Sequence, residues 1–112
     1  MTSSAYANDV FAAISAPARR EILQMLARRD TPVTEIAESF DMTMSAVSQH
    51  LTVLRSAGLV TQLKNGRQRI YRLNPEPLQV VGEWLAFYEP YWKERLIDLG
   101  RFLDETAPEP HT

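Results

Sequence analysis

Arg55, Lys64, Arg67, Arg69 and Arg72 stand in a stretch, Met42 to Pro75, that contains no Asp or Glu. Residues 1–41 sum to −2 and residues 76–112 to −5, so the formal net charge of −2 conceals a basic middle third. Within that stretch Ser45, Ser48, Gln49 and Thr52 lie opposite Val47, Leu51 and Leu54, an apolar set at i, i+4 and i+7. Such a helix has one face for a core and another of short hydrogen-bonding groups. Taken alone, that polar face is an ordinary solvated one. Beside five cations with no acid in the stretch, it suits anionic oxygens and the edges of planar groups, the chemistry of recognition.

Bond-breaking chemistry has little to draw on. The 112 residues hold no Cys, which removes thiolate nucleophiles, thiolate metal sites and disulfides. The two histidines are His50 and His111, the second near the chain end, and the basic stretch has no carboxylate to pair with a base. No enzyme is expected. No segment has the pattern of a secretory leader or the ~18 apolar residues of a membrane span, so a cytoplasmic protein without a membrane partner is expected. At this length one domain forms, and the apolar surface left over favours pairing with a second copy.

The elements that must position these groups follow from periodicity. Asn8 can cap a short helix carrying Val10, Phe11 and Ile14. Ala16-Pro17 opens a second, with proline at its permitted first position and Ile22, Leu23, Met25 and Leu26 as its buried stripe. Thr34 can cap a third, Glu35 to about Phe40, with Ile36, Ala37 and Phe40 inward. Thr43 can cap a fourth that Gly58 stops. The period then shortens: Leu59–Lys64 and Arg67–Leu73 flank Asn65-Gly66, a two-residue hairpin signal. In the simplest register Lys64 faces Arg67 and Gln62 faces Arg69. From Leu78 to Leu103 the pattern is helical again, with Gly82, Pro90 and Gly100 as interruptions, and Pro90 should split it into two segments. Residues 106–112 read as a disordered tail.

Helix, helix, helix-turn-helix, hairpin is the winged helix-turn-helix plan: mainly α, with a β-hairpin wing. The sequence resembles the ArsR family of bacterial transcriptional repressors. The resemblance is carried by Ala16-Pro17-Ala18-Arg19-Arg20-Glu21-Ile22-Leu23, by Met44 through Val60, whose core is Ser48-Gln49-His50-Leu51 and Ala57-Gly58-Leu59-Val60, and by Asn65-Gly66-Arg67 with Ile70-Tyr71-Arg72-Leu73. It implies one domain over residues 1–105, with the helix-turn-helix at 34–57, the wing at 59–73 and a dimerisation helix or helices at 76–104.

A helix docked in a major groove needs an apolar face to hold its angle and short polar groups for base edges. Thr43, Ser45, Ser48, Gln49, His50, Thr52 and Arg55 are therefore the expected contacts from the fourth helix, and Lys64, Asn65, Arg67 and Arg69 those from the wing. Gln49 can pair with adenine through two bonds, and Arg55 suits the backbone. His50 fits either a place near DNA or a packing position. Where many family members carry Asp before the proline this chain has Ala16, so Ser15 can cap instead. Arg19 and Arg20 begin their helix and gain nothing from its dipole; a phosphate contact is one role open to them.

Family members dimerise through the first and last helices. That implies an interface from Val10, Phe11, Ile14, Trp84, Tyr88, Trp92, Leu96, Leu99 and Leu103, although the aromatic cluster could also frame a ligand pocket. Members that sense metals do so through cysteines, or through His and carboxylates on the last helix. Here Glu94, Asp98 and Asp104 have no histidine among them, so no regulatory metal or other cofactor is expected; the sequence specifies no effector. The expectation is a homodimeric regulator, probing duplex DNA as a repressor at a short inverted repeat. The alternative is a winged-helix module that binds protein without reading DNA.

Overall fold

The computed structural model describes residues 9–106, apart from the side chains of Leu96 and of residues 103 onward. Asn8 as a cap, the interface roles of Leu96 and Leu103, and the tail beyond Thr106 lie outside the described residues. One compact unit ends at Val81 and a second begins at Gly82.

Proline has no N–H to give a helix, and Pro17 sits in the first turn of α2 (Pro17–Arg28), where none is needed. Ala16 is its N-cap without a side-chain bond. Ser15 does not cap α2: its hydroxyl donates to Ala12 O at 2.7 Å, closing the turn after α1, which is helical at residues 9–13. Ile22, Leu23 and Leu26 are buried on α2, while Met25 is only partly so.

A short strand that the periodicity does not announce follows, β1 (Thr31–Pro32). Helix α3 (Val33–Phe40) then starts directly after it, capped by the Pro32 backbone. Thr34, expected as the cap, is instead inside the first turn. The early start has a physical reason: Pro32 is fixed at φ −66 with extended ψ, the geometry of an N-cap, and Val33 enters the core. Asp41 takes a left-handed φ of 51, and Met42 N–H reaches back to Ala37 O at 3.1 Å, turning the chain sharply into α4 (Met44–Ser56).

Gly58, at φ 77, ends α4 as expected and leads into β2 (Val60–Asn65) and β3 (Gln68–Leu73). The sheet order is β1-β3-β2, all antiparallel. The hairpin register differs from the one expected from Asn65-Gly66: Lys64 pairs with Arg69 and Gln62 with Tyr71. Only Gly66, at φ 65, takes a positive φ in the turn, so Gly66-Arg67 form the loop and Asn65 pairs with Gln68. A turn with positive φ at its first central residue alone is the II′ pattern, whereas a turn centred on Asn65-Gly66 would need it at both.

Residues from α1, α2, α3, α4, β2 and β3 close one core, with Val10, Ile22, Ile36, Val47, Leu51, Leu54 and Leu59 almost fully buried. Val10 has no surface left for a partner, so of the residues expected at an interface from the first helix only Phe11 and Ile14 remain partly exposed. After a 3-10 turn (Glu76–Leu78), α5 (Gln79–Thr106) is one continuous helix with Pro90 inside it. The expected split is therefore absent. Pro90 removes one backbone bond, a cost of about 3 kcal/mol, and more than two turns of helix on each side carry the element across. Thr106 belongs to this helix rather than to a tail.

Candidate nucleic-acid interface

Helix α4 is held from both its end and its side. Ala46 N–H donates to Thr43 Oγ1 at 3.1 Å, the cap expected from sequence, so Thr43 serves the helix whatever else it touches. Val47, Leu51 and Leu54 are at most 1% exposed and fix the rotation of the helix on the core. That rotation turns Ser45, Gln49, Thr52 and Arg55 to solvent and leaves Ser48 and His50 half-buried. Thr52 Oγ1 donates to Ser48 O at 2.8 Å, which leaves the threonine its methyl group and lone pairs for an outside partner.

His50 has a definite neighbour. Arg19 Nη1 lies 3.4 Å from His50 Nδ1. Arginine only donates, so in this contact Nδ1 can serve only as the acceptor. The same guanidinium donates to Ala13 O at 2.6 Å and Ala12 O at 3.2 Å, while Arg20 Nη1 donates to Ile14 O at 2.9 Å and Ser15 O at 3.2 Å. The two arginines thus satisfy the open carbonyls at the C-terminal end of α1, where a cation is also favoured by the dipole. The sequence places both correctly at the start of α2, but the carbonyls they serve, at the end of α1, are not legible from it.

The wing concentrates charge. Lys64 and Arg69 are cross-strand partners, Arg67 is in the turn, and all three are exposed, as is Asn65. Like charges directly opposite destabilise a hairpin, and among the described residues no carboxylate pairs with any of the three. Arg67 and Arg69, with Pro32, Val33, Thr34, Met44 and Gln68, line a cleft of about 220 Å³ between the wing and the starts of α3 and α4. Arg72 differs. On the opposite face of β3 its Nη2 and Nε lie 2.8 and 3.1 Å from Asp30 Oδ2, and the hydrogen bond and charge of that carboxylate raise the Arg72 pKa above its ordinary value. Of the five cations in the basic stretch, Arg72 is therefore neutralised. The other carboxylate pairs among the described residues, Arg29 with Glu35 and Lys93 with Glu89, lie outside that stretch.

Sequence reasoning missed one residue that links the two parts of the surface. Gln62 Oε1 accepts from Arg55 Nη1 at 2.8 Å and from the Tyr71 hydroxyl at 3.4 Å, joining the last turn of α4 to the wing. The wrong hairpin register hid it, by placing Arg69 rather than Tyr71 opposite Gln62.

On α5, Trp84, Leu85, Phe87, Tyr88, Tyr91, Ile97, Leu99 and Phe102 are large apolar side chains with 41–75% of their surface exposed, whereas Trp92 is less so. Tyr88 meets Trp84 and Phe87 edge to face, with centroids 5.4 and 5.0 Å apart. No group of three or more His, Cys, Asp and Glu among the described residues could hold a metal ion. Among the described residues no helix is long and apolar enough to cross a membrane.

Comparison with known proteins points in one direction. The family model described as "Bacterial regulatory protein, arsR family" matches residues 16–62. The transcriptional repressor SdpR of Bacillus subtilis is 37% identical over 78 residues, 70% of this chain and 87% of that protein. The HTH-type transcriptional regulator Rv2034 of Mycobacterium tuberculosis is 33% identical over 91 residues, covering 81% of this chain and 82% of its own. Among solved structures, an ArsR-like transcriptional regulator from Rhodococcus sp. RHA1 superposes with a TM-score of 0.69 at 29% identity, over 98% of this chain and all of that one (100%).

Proposed function

Because the chain belongs to the arsR family of bacterial regulatory proteins, whose members here are regulators and not enzymes, we propose that it represses transcription as a homodimer bound to a short inverted repeat. The coarser statement, a DNA-binding transcriptional regulator of winged helix-turn-helix fold, follows from its relatives. The observation that supports binding to DNA through this face is the wing: Lys64, Arg67 and Arg69 are exposed, mutually repelling and unpaired with any carboxylate among the described residues, beside a helix that exposes Ser45, Gln49 and Thr52. An anionic partner relieves that repulsion, and a duplex presents phosphates and base edges together.

In this reading Lys64, Arg67, Arg69 and Arg55 supply affinity through phosphates, with Asn65 beside them. Ser45, Ser48, Gln49 and Thr52 supply base choice, with Thr43 and His50 at the margins of the contact. The exposed aromatic face of α5, with Phe11 and Ile14, pairs two copies, and a two-fold dimer sets its half-sites about one helical turn, ~34 Å, apart. It acts in the cytoplasm, with residues 1–105 as the functional unit. Selection of bound fragments from random-sequence duplex DNA tests this directly. A symmetric site with that spacing is expected; recovery of no enriched sequence, with no salt-dependent binding, overturns it.

A further inference from the structure

Two arginines of the basic stretch are held by side chains, and the holders differ in charge. Asp30 grips Arg72 with a carboxylate, 2.8 Å away, and neutralises it. Gln62 holds Arg55 at 2.8 Å with an uncharged amide oxygen. The second oxygen lone pair takes the hydroxyl of Tyr71, whose ring is 5% exposed and packed in the core. An arginine has five N–H donors, and one is used here. Arg55 is thus directed by a half-buried glutamine that leans on a core tyrosine, with no opposing charge beside it and its remaining donors open to an outside anion. Free, so long a side chain would lose most of its rotamer freedom on meeting a phosphate; held, it has lost part of it already.

We propose that Gln62 is a positioning residue for DNA binding: by holding Arg55 through a neutral acceptor anchored on Tyr71, it pre-aims that guanidinium at a phosphate and locks the end of α4 to the wing. This deepens the function proposed above and rests on it. A neutral acceptor is the decisive property. A carboxylate at the same place would hold Arg55 at least as firmly and cancel the charge that the phosphate needs.

The test measures binding of the full chain to a duplex recovered by selection, across a salt titration, with thermal unfolding alongside. Gln62→Ala is expected to bind ~3–10-fold more weakly and, by freeing Arg55, to flatten the log–log salt slope by ~1–2 for two copies. The Arg55→Ala, Gln62→Ala double variant should be no weaker than Arg55→Ala alone, since the glutamine acts only through the arginine. Gln62→Glu should keep the wild-type melting temperature or exceed it, yet bind DNA more weakly than Gln62→Ala; a purely structural role would move both readouts the same way. If Gln62→Ala does not fold, Gln62→Glu decides alone. Wild-type affinity and slope in both Gln62 variants, or full additivity in the double variant, overturns the proposal while Arg67→Ala still weakens binding. If Arg67→Ala has no effect either, the DNA-binding reading itself has failed.

Discussion

Replacing Arg67 and Arg69 together by alanine removes half of the basic-stretch cations that have no carboxylate partner among the described residues: Arg55, Lys64, Arg67 and Arg69 are four per copy, and the double variant leaves two. If each cation of a dimer neutralises one phosphate, eight contacts give a log–log salt slope of about −7, and four give about −3.6. Between about 50 and 200 mM salt the wild type should then lose roughly four decades of affinity and the variant roughly two. Fluorescence anisotropy on a labelled duplex measures both lines. The wing itself should not suffer, because removing Arg69 abolishes a like-charge pair with Lys64, so the melting temperature is expected to hold or rise. Parallel salt lines for the two proteins would refute the assignment of these arginines to phosphates. A loss of slope accompanied by unfolding would refute the claim that their repulsion is relieved only by the ligand.

Gln49→Ala should cost ~1–3 kcal/mol on the selected site and broaden base preference at one position of each half-site, with the salt slope unchanged; a uniform loss on all duplexes counts against base reading. Leu51→Ala, at a side chain 1% exposed, should destabilise the fold by about 2–5 kcal/mol in denaturant unfolding, far more than any change on the exposed face of α4. Tyr91→Glu, on a side chain 75% exposed in the single chain, should shift sedimentation toward the monomer and weaken DNA binding, with the salt slope falling toward the value of about −3.6 for the four contacts of a single copy. A dimer undisturbed by that charge would place the interface elsewhere.

What the sequence made legible was whatever rests on local rules. Thr43 as a cap, Pro17 at a helix start, Gly58 at a helix end and the buried set Val47, Leu51 and Leu54 each depend on a few neighbouring residues, and each stands where it was read. The misses depend on partners distant in the chain. A two-residue strand such as Thr31–Pro32 has no period to detect, and exists because β3 offers it an edge. The hairpin register turned on which of Asn65 and Gly66 adopts a positive φ, and pairing of Gln62 with Tyr71, which is buried, goes with the choice of Gly66 alone. Arg19 and Arg20 looked misplaced on α2 because the carbonyls they serve belong to α1. Pro90 reads locally as a breaker, although one missing bond does not end a 28-residue helix. At the interface the polar face of α4 and the wing cations were readable, whereas the neutralisation of Arg72 by Asp30, 42 residues away, and the Arg55–Gln62–Tyr71 link were not.

The division of α4 into a face sunk in the core and a face open to water has a practical side. Since Val47, Leu51 and Leu54, with the Thr43 cap and the Arg55–Gln62 link, set the helix in place, Ser45, Gln49 and Thr52 are free to be exchanged in combination without reopening the folding problem. The scaffold is therefore suited to retargeting: a library randomised at those three sites should yield mostly well-folded proteins, differing in the sequence they select and little else.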